Sequence, residues 1–392
     1  MLFRSFDEDR KVKLEDRVKK LAGVTFHQKL GTMGQKQERV SKLIKRIVES
    51  IGDSVGHPIS SPGFSPDLSV CQRAAEICKA DLLTGIVGEF PELQGIMGGE
   101  YAKHDGESLA VSQAIKDQYL PRSIEGELPK TAEGQVLSLA DRLDSLAAFF
   151  HVGIVPTGSE DPYALRRHAT ALVRILLEGA GAIMLNLGQA VEDARTIVAE
   201  AGFKADLVQR GDPHLRLVEF LFERVRHYAR TIHGLRDDVM DAVLSHRVVD
   251  PQSFELKDLL NKMQALQSMT VKLEFDSLII GFKRAHRLVE KEKWDRKPVD
   301  PTRFLDPSEG SLHDSVSQTQ RDKMNEFMRA GQYGYAIDYL VELKPAIDAF
   351  FTAVMVNADD PAVRSNRLSL LQEVDDFFNS FADFSQIVVQ GG

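Results

Sequence analysis

Apolar residues recur at intervals of three and four over most of this chain, and runs that alternate apolar and polar residue by residue are scarce. That periodicity commits the backbone to amphipathic helices whose apolar stripes must be buried, and it predicts an all-α protein. The strongest stripes lie near the C-terminus. Leu340, Leu343, Ile347, Phe350, Phe351 and Val354 fall on a helix expected over 333–356. Leu368, Leu371, Val374, Phe378 and Phe381 fall on one expected over 361–382, and the two are expected to pack together. A chain of 392 residues is long enough for two or three domains. Its 43% hydrophobic and 27% charged residues exclude wholesale disorder. No apolar run reaches the roughly 20 residues that span a bilayer. The charged start, Met1 to Arg10, lacks the apolar stretch of a secretory signal, so no membrane role and a cytoplasmic setting are expected.

Turn residues punctuate the pattern. A cluster from Gly52 to Pro58, with Pro62, Gly63 and Pro66 behind it, ends a basic N-terminal helix, and Asp67 reads as the N-cap of the next. A glycine-rich loop is expected from Gly95 to Gly106. Helices follow over 107–119, 131–150 and 161–178, the last opened by Asp161 with Pro162 in its first turn. Between 183 and 290 the helices divide at Gly211-Asp212-Pro213, His233-Gly234 and Asp250-Pro251. The stretch 297–317 has three prolines and Gly310 and reads as a linker, with a further helix near 318–330. Cys71 and Cys78, two turns apart on one helix face, are out of disulfide reach and read as buried thiols.

The net charge of −9 hides two basic stretches. Arg10 to Arg46 holds twelve Lys/Arg against three Asp/Glu, and Lys283 to Lys297 holds seven against three. Either is a place for phosphate or simply a solvated helix face. The end of the second stretch carries the single Trp294, read as capping the linker or stacking on a base.

Three segments are more detailed than core packing requires: 79–98, 139–167 and a C-terminal run over 343–368. Within the first two lie "VGEFPELQGIMG" at 87–98, "ADRLDSLAAFF" at 140–150 and "GIVPTGSEDPYALRR" at 153–167, and "FHQKLGTMGQKQERV" at 26–40 precedes them. They resemble signature stretches of the bacterial two-subunit glycyl-tRNA synthetase β subunit, and the run from Leu340 to Phe384 resembles the helical anticodon-binding domain of arginyl-tRNA synthetases. Order and spacing agree from about residue 20 to 385. The resemblance implies a linking helix over 1–26, an HD-like helical domain over 27–178, a helical body over 179–296, the linker over 297–317 and an anticodon-binding-like bundle over 318–392. Family β subunits carry a large region ahead of the "KLGT" stretch, so a truncated C-terminal part is expected, with Met1 to Phe6 not an authentic start.

Active HD proteins hold a metal through a His, a His-Asp pair and a distant Asp. Here the pair's position reads Lys79-Ala80-Asp81, so its histidine is missing. Asp81 and Asp141 (or Asp144) are left without a full ligand set, and the charge of Lys79 opposes a dication. His104-Asp105 spells the pair but in the expected loop, and the other histidines lack ligand spacing. No Walker loop or dinucleotide fingerprint occurs. No catalytic residue and no cofactor are therefore expected in this chain. The resemblance places ATP, Mg and the chemistry on a partner α subunit of a hetero-oligomer and leaves this chain to grip tRNA(Gly). Candidate RNA contacts are Lys36 and Arg39 in the basic stretch, Arg166 and Arg167, and Arg364, Asn366 and Arg367. For Arg364 and Arg367, salt bridges to Asp348, Asp359 or Asp360 are the competing reading. A metal-dependent HD phosphohydrolase and a non-catalytic helical scaffold remain as rival functions.

Overall fold

The computed structural model describes residues 2–389 apart from 54–63, 159, 180, 182, 207–210, 246–248 and 293–296, so most of the expected turn cluster at 52–58 and Trp294 lie outside the described residues. Helices dominate, as the periodicity requires. The two named strands among the described residues form a short antiparallel hairpin, β1 (Thr25–His27) and β2 (Gly31–Thr32). The chain divides into two compact units, Met1–Tyr228 with Pro251–Lys257, and Ala229–Asp250 with Asp258–Gly392.

The first unit contains α1 (Leu2–Asp9), α2 (Leu14–Val18), α3 (Met33–Asp53), α4 (Leu68–Ile77), α5 (Gly85–Glu89), α6 (Ile96–His104), α7 (Leu109–Asp117), α8 (Ala132–His151), α9 (Leu165–Glu178), α10 (Leu187–Glu200) and most of α11 (Pro213–His233). Its axis is α8. The Thr131 hydroxyl caps this helix by accepting from the Gly134 amide, and every residue from Gly134 to His151 is buried. A helix with no solvent face needs neighbours all round, and α3, α4, α7, α9 and α10 supply them. The body expected over 179–296 is therefore not one piece. Its first helix, α10, packs on α3 and α8, and the Leu187 amide donates to the Phe254 carbonyl.

Three local expectations change here. The Gly95–Gly106 stretch is mostly helix α6, not loop. Its glycines serve close packing: a Cβ on Gly99 would stand 2.7 Å from the Ser112 carbonyl, and one on Gly98 would stand 2.8 Å from Asp81 Oδ2. Helix α9 begins at Leu165, after Ala164 in a left-handed conformation (φ 54°), rather than at Asp161. Asp161 still caps it from a distance, accepting from the Leu165 and Arg166 amides at 2.7 and 3.0 Å. The segment 1–26 is docked rather than linking. The Asp9 carboxylate accepts from the Gly85 and Ile86 amides at the start of α5 and from the Tyr101 hydroxyl. The Asp67 cap stands as expected, accepting from the Ser69 and Val70 amides. Cys71 and Cys78 are free and buried, and burial pushes both thiols up to about 12.

The second unit comprises α12 (Asp237–Val243), most of α13 (Leu256–Met269), α14 (Leu273–Lys291), α15 (Pro307–Ser315), α16 (Gln318–Arg329), α17 (Tyr333–Val341), α18 (Lys344–Ala353) and α19 (Pro361–Asn379). Its core is aromatic: Phe282 stacks on Phe378 with ring centroids 4.7 Å apart, and Phe384 meets both edge-on. Phe282 belongs to α14, so this bundle starts well before the expected boundary at 318. The single helix expected over 333–356 is broken into α17 and α18, with Pro345 in the first turn of the second, where its missing N–H costs nothing. Nor do α18 and α19 mainly meet each other. Both lay their stripes on α14 and α15.

The expected linker is part of this bundle. Asp306 and Glu309 form a capping box at the start of α15, and α15 packs against α18 and α19. Glu309 is 1% exposed, which no free linker would allow.

Adding a methyl group separates a packed glycine from a free one. Gly99→Ala should lower stability by about 1–3 kcal/mol through overpacking. Gly88→Ala, whose Cβ meets nothing within 4 Å, should be neutral or gain about 0.4–1 kcal/mol. Urea denaturation of both variants reads the contrast, and equal effects would refute the packing role of α6.

Candidate functional site

At the position expected for a metal, the first unit holds a cluster of paired charges. Helical spacing builds it: Asp141, Asp144 and Ser145 share one face of α8, and Lys36 and Arg39 share one face of α3. Lys79 enters from the turn after α4. Lys36 Nζ donates to Asp144 Oδ2 (3.1 Å), Ser145 Oγ (2.8 Å) and the Asp141 carbonyl (3.1 Å), and lies 3.0 Å from Asp141 Oδ1. Lys79 Nζ donates to Asp141 Oδ2 at 2.9 Å and to the Tyr119 hydroxyl at 3.3 Å. Arg39 grips Asp144 with two bonds of 2.7 and 3.2 Å, the fork geometry that makes such pairs strong.

The electrostatics follow from the contacts. Burial alone would raise the Asp141 carboxyl, but the ammonium groups of Lys36 and Lys79 outweigh it and hold the group far below the usual carboxylate range. Burial would lower Lys79, yet Asp141 keeps it above its ordinary value. Asp81 is the exception: burial raises it, although the Gly95 amide donates to Oδ2 at 2.7 Å. The carboxylate that a divalent metal would use is thus neutralised by two ammonium groups. A dication would have to displace both against their repulsion, so the residues present do not fit a metal, and no hydrolytic step is available through one. Lys79 and Asp141 meet in an ion pair, while Asp81 accepts from the Gly95 amide. Tyr119 and Ser145 join them without any sequence signal, because nothing local marks which residues a fold will bring to Lys79.

The same geometry corrects two candidate RNA contacts. Lys36 and Arg39 are 3% and 2% exposed, and their charges face inward onto Asp141 and Asp144. Counting basic residues along α3 could not distinguish its inner face from its outer one.

The C-terminal candidates divide similarly. Arg367 is buried, donating to Glu309 Oε1 at 2.8 Å and to the Met355 carbonyl at 2.8 Å. Asn366 is buried too, and its side chain closes a two-way bond with the Asp300 backbone, at 2.7 Å to the amide and 3.0 Å to the carbonyl. Both are corrections, since their polar groups tie the 297–317 segment to α19 instead of facing RNA. Arg364 remains partly exposed and is paired with Glu292 at 2.7 Å. The acids engaged are Glu292 and Glu309, not the Asp residues expected. Arg167 is exposed and Arg166 half-buried at the start of α9.

His104-Asp105 lies at the end of α6, not in a loop. The His104 ring is 3.0 Å from Arg10 Nη2, and Asp105 Oδ2 accepts from the Leu14 amide at 2.7 Å, so the two serve packing of the N-terminal helices. Leu93 and Met97 line an open pocket of about 690 Å³ with Phe6, Arg10 and His104.

Comparison with known proteins places this geometry in a lineage. The family model described as glycyl-tRNA synthetase beta subunit matches residues 4–245, and that described as DALR anticodon binding domain matches 278–384. The glycine–tRNA ligase beta subunit of Acidithiobacillus ferrooxidans (strain ATCC 53993 / BNL-5-31) is 40% identical over 387 residues, covering 97% of this chain and 52% of the relative. The beta subunit of Geobacter sp. (strain M21) is 39% identical over 382 residues, with 97% and 52% covered. That of Clostridioides difficile (strain 630) is 38% identical over 384 residues, with 98% and 52% covered. The chain spans about half the length of the curated relatives it matches.

Removing Arg367 leaves the buried Glu309 without its partner, and removing Lys79 takes one of the two cations from the buried Asp141. Lys79→Met and, separately, Arg367→Met should each cost about 3–5 kcal/mol in chemical denaturation. Lys79→Met combined with Asp141→Asn should be less damaging than the sum of the two single changes. A loss below about 1 kcal/mol for both single variants would mean that these ions contribute little to the fold.

Proposed function

The chain belongs to the glycyl-tRNA synthetase beta-subunit family, and on that premise we propose that it is the tRNA-gripping part of a glycine–tRNA ligase. In this reading it holds tRNA(Gly) while a separate α subunit binds ATP, Mg and glycine and carries out the chemistry in a hetero-oligomer. The chain itself then supplies no catalytic residue and no cofactor site. The observation that carries the proposal is the continuous match to beta subunits over 97% of the chain, with an anticodon-binding family model on its C-terminal helices. A cytoplasmic setting agrees with it, and among the described residues no helix is long and apolar enough to cross a membrane.

The division of labour has a physical rationale. RNA affinity comes mainly from phosphate contacts, and discrimination comes from base edges and shape. Of the seven candidate contacts, Arg166, Arg167 and Arg364 keep side chains that reach solvent, and of these Arg167 is the most open. They are the residues on which we place RNA binding. The neutralised carboxylates around Lys79 count against a phosphohydrolase.

The test is charging of tRNA(Gly) by a cognate α subunit with and without this chain, in parallel with filter binding of the tRNA. Binding should weaken steeply with salt. Replacing Arg166 and Arg167 together by alanine should flatten the slope of log affinity against log salt by about 1 for each phosphate no longer held. Charging that ignores the chain, together with tRNA binding that is absent or insensitive to salt, would overturn the proposal.

A further inference from the structure

We propose that a cleft on the second unit, between α14 and the C-terminal segment after α19, is a phosphate-binding site in which Arg287 and Lys283 are the anion-holding residues. The cleft encloses about 530 Å³ and is lined by Lys283, His286, Arg287, Glu290, Asp383 and Gln386, among others. Lys283 and Arg287 are one turn apart, so their cationic heads share a face of the helix. Lys283 donates one hydrogen bond, to the Ile387 carbonyl at 2.6 Å. The ammonium group has two further donors. Arg287 is exposed and has no acid in ion-pairing range among the described residues.

The acids that line the cleft have partners other than Lys283 and Arg287. Asp383 accepts from the Ser385 amide and hydroxyl through Oδ1, and from the Ser245 hydroxyl and the Gln386 amide group through Oδ2. Glu290 lies 3.7 Å from His286 Nε2, and the other ring nitrogen of His286 is 2.7 Å from Asp375 Oδ1. Among the described residues, the two cations thus face one cavity without a salt bridge to either acid that lines it. Lys283 is lowered from its ordinary value first by burial and then by Arg287, with Asp238 and Asp383 opposing the shift. A phosphate placed between the two cations would remove the repulsion and meet a guanidinium fork with oxygens of matching geometry. Arg284 and Lys291, both exposed, fall on the same helical stripe at three and four residues from Arg287 and widen the positive approach.

Two sources carry this chemistry, a phosphodiester of an RNA backbone and a free phosphorylated small molecule, and one experiment separates them. Wild type and Arg287→Gln, with Lys283→Gln as a second variant, are titrated with inorganic phosphate against chloride at constant ionic strength. Calorimetry and thermal melting are the readouts, and far-UV circular dichroism establishes that each variant is folded. The same proteins are then assayed for tRNA binding on filters. Saturable phosphate binding that weakens tenfold or more in Arg287→Gln supports the site. If tRNA affinity falls several-fold in parallel and its salt slope drops by about 1, the source is RNA; unchanged tRNA affinity assigns it to a free phosphorylated molecule. A fall in tRNA affinity and slope without saturable phosphate binding also supports the site, as one that needs the polymer. Equal behaviour of wild type and both folded variants in both assays overturns the proposal. Because the phosphate titration contains no RNA, loss of tRNA binding by the wild type would count against the tRNA-gripping reading without touching this one.

Discussion

Two ammonium groups closing on one buried carboxylate hold the first unit together at its most demanding point. Asp141 sits in the middle of a helix that has no side facing water, and an ionised group there is costly unless it is paired and hydrogen-bonded. Lys36 from α3 and Lys79 from the turn after α4 supply that pairing, and Arg39 does the same for Asp144. Each pair ties a different element to α8, so the charges also specify which helices surround it and in what register.

The same arrangement leaves the buried carboxylate of Asp141 unfit to hold a metal ion. A metal site needs ligands with free lone pairs pointing at one place. Here one oxygen of Asp141 accepts from Lys79 and the other faces the ammonium group of Lys36, while Asp81 accepts from the backbone amide of Gly95. Arg166 and Arg167, by contrast, lie next to the capped start of α9 with side chains that reach solvent.

Much of the helical framework was legible in the residues, because its signals are local. Asp67 opens α4 where capping chemistry predicts, α8 runs close to its expected span of 131–150, and the signature stretches pointed to the family from residue order alone. The errors share a cause, which is reading neighbours along the chain as though they were neighbours in space. Gly98 and Gly99 look like a loop, but the space they leave belongs to Asp81 and α7. Lys36 and Arg39 look like an RNA-facing surface until α8 presents two aspartates to them. Arg367 reads as an anticodon contact, and only the position of Glu309, far away in sequence, shows that it is spoken for. The candidate site was therefore legible at Lys79, Asp81 and Asp141, where the residue types already contradict metal binding. It was illegible wherever the partner lies in a distant segment.

The proline-rich stretch before α16 has a consequence for how this architecture can be inherited. Asp300 is clasped by Asn366, and Glu309 by Arg367, so the stretch behaves as an internal brace. Helix α14, on its N-terminal side, contributes Phe282 to the middle of the aromatic core. A gene fusion or exchange that broke the chain at this apparent joint would separate a helix from the core it completes and expose phenylalanine rings on both products. The transferable module is therefore set by where the rings are shared, and its upstream border lies before α14, at a place no composition shift announces.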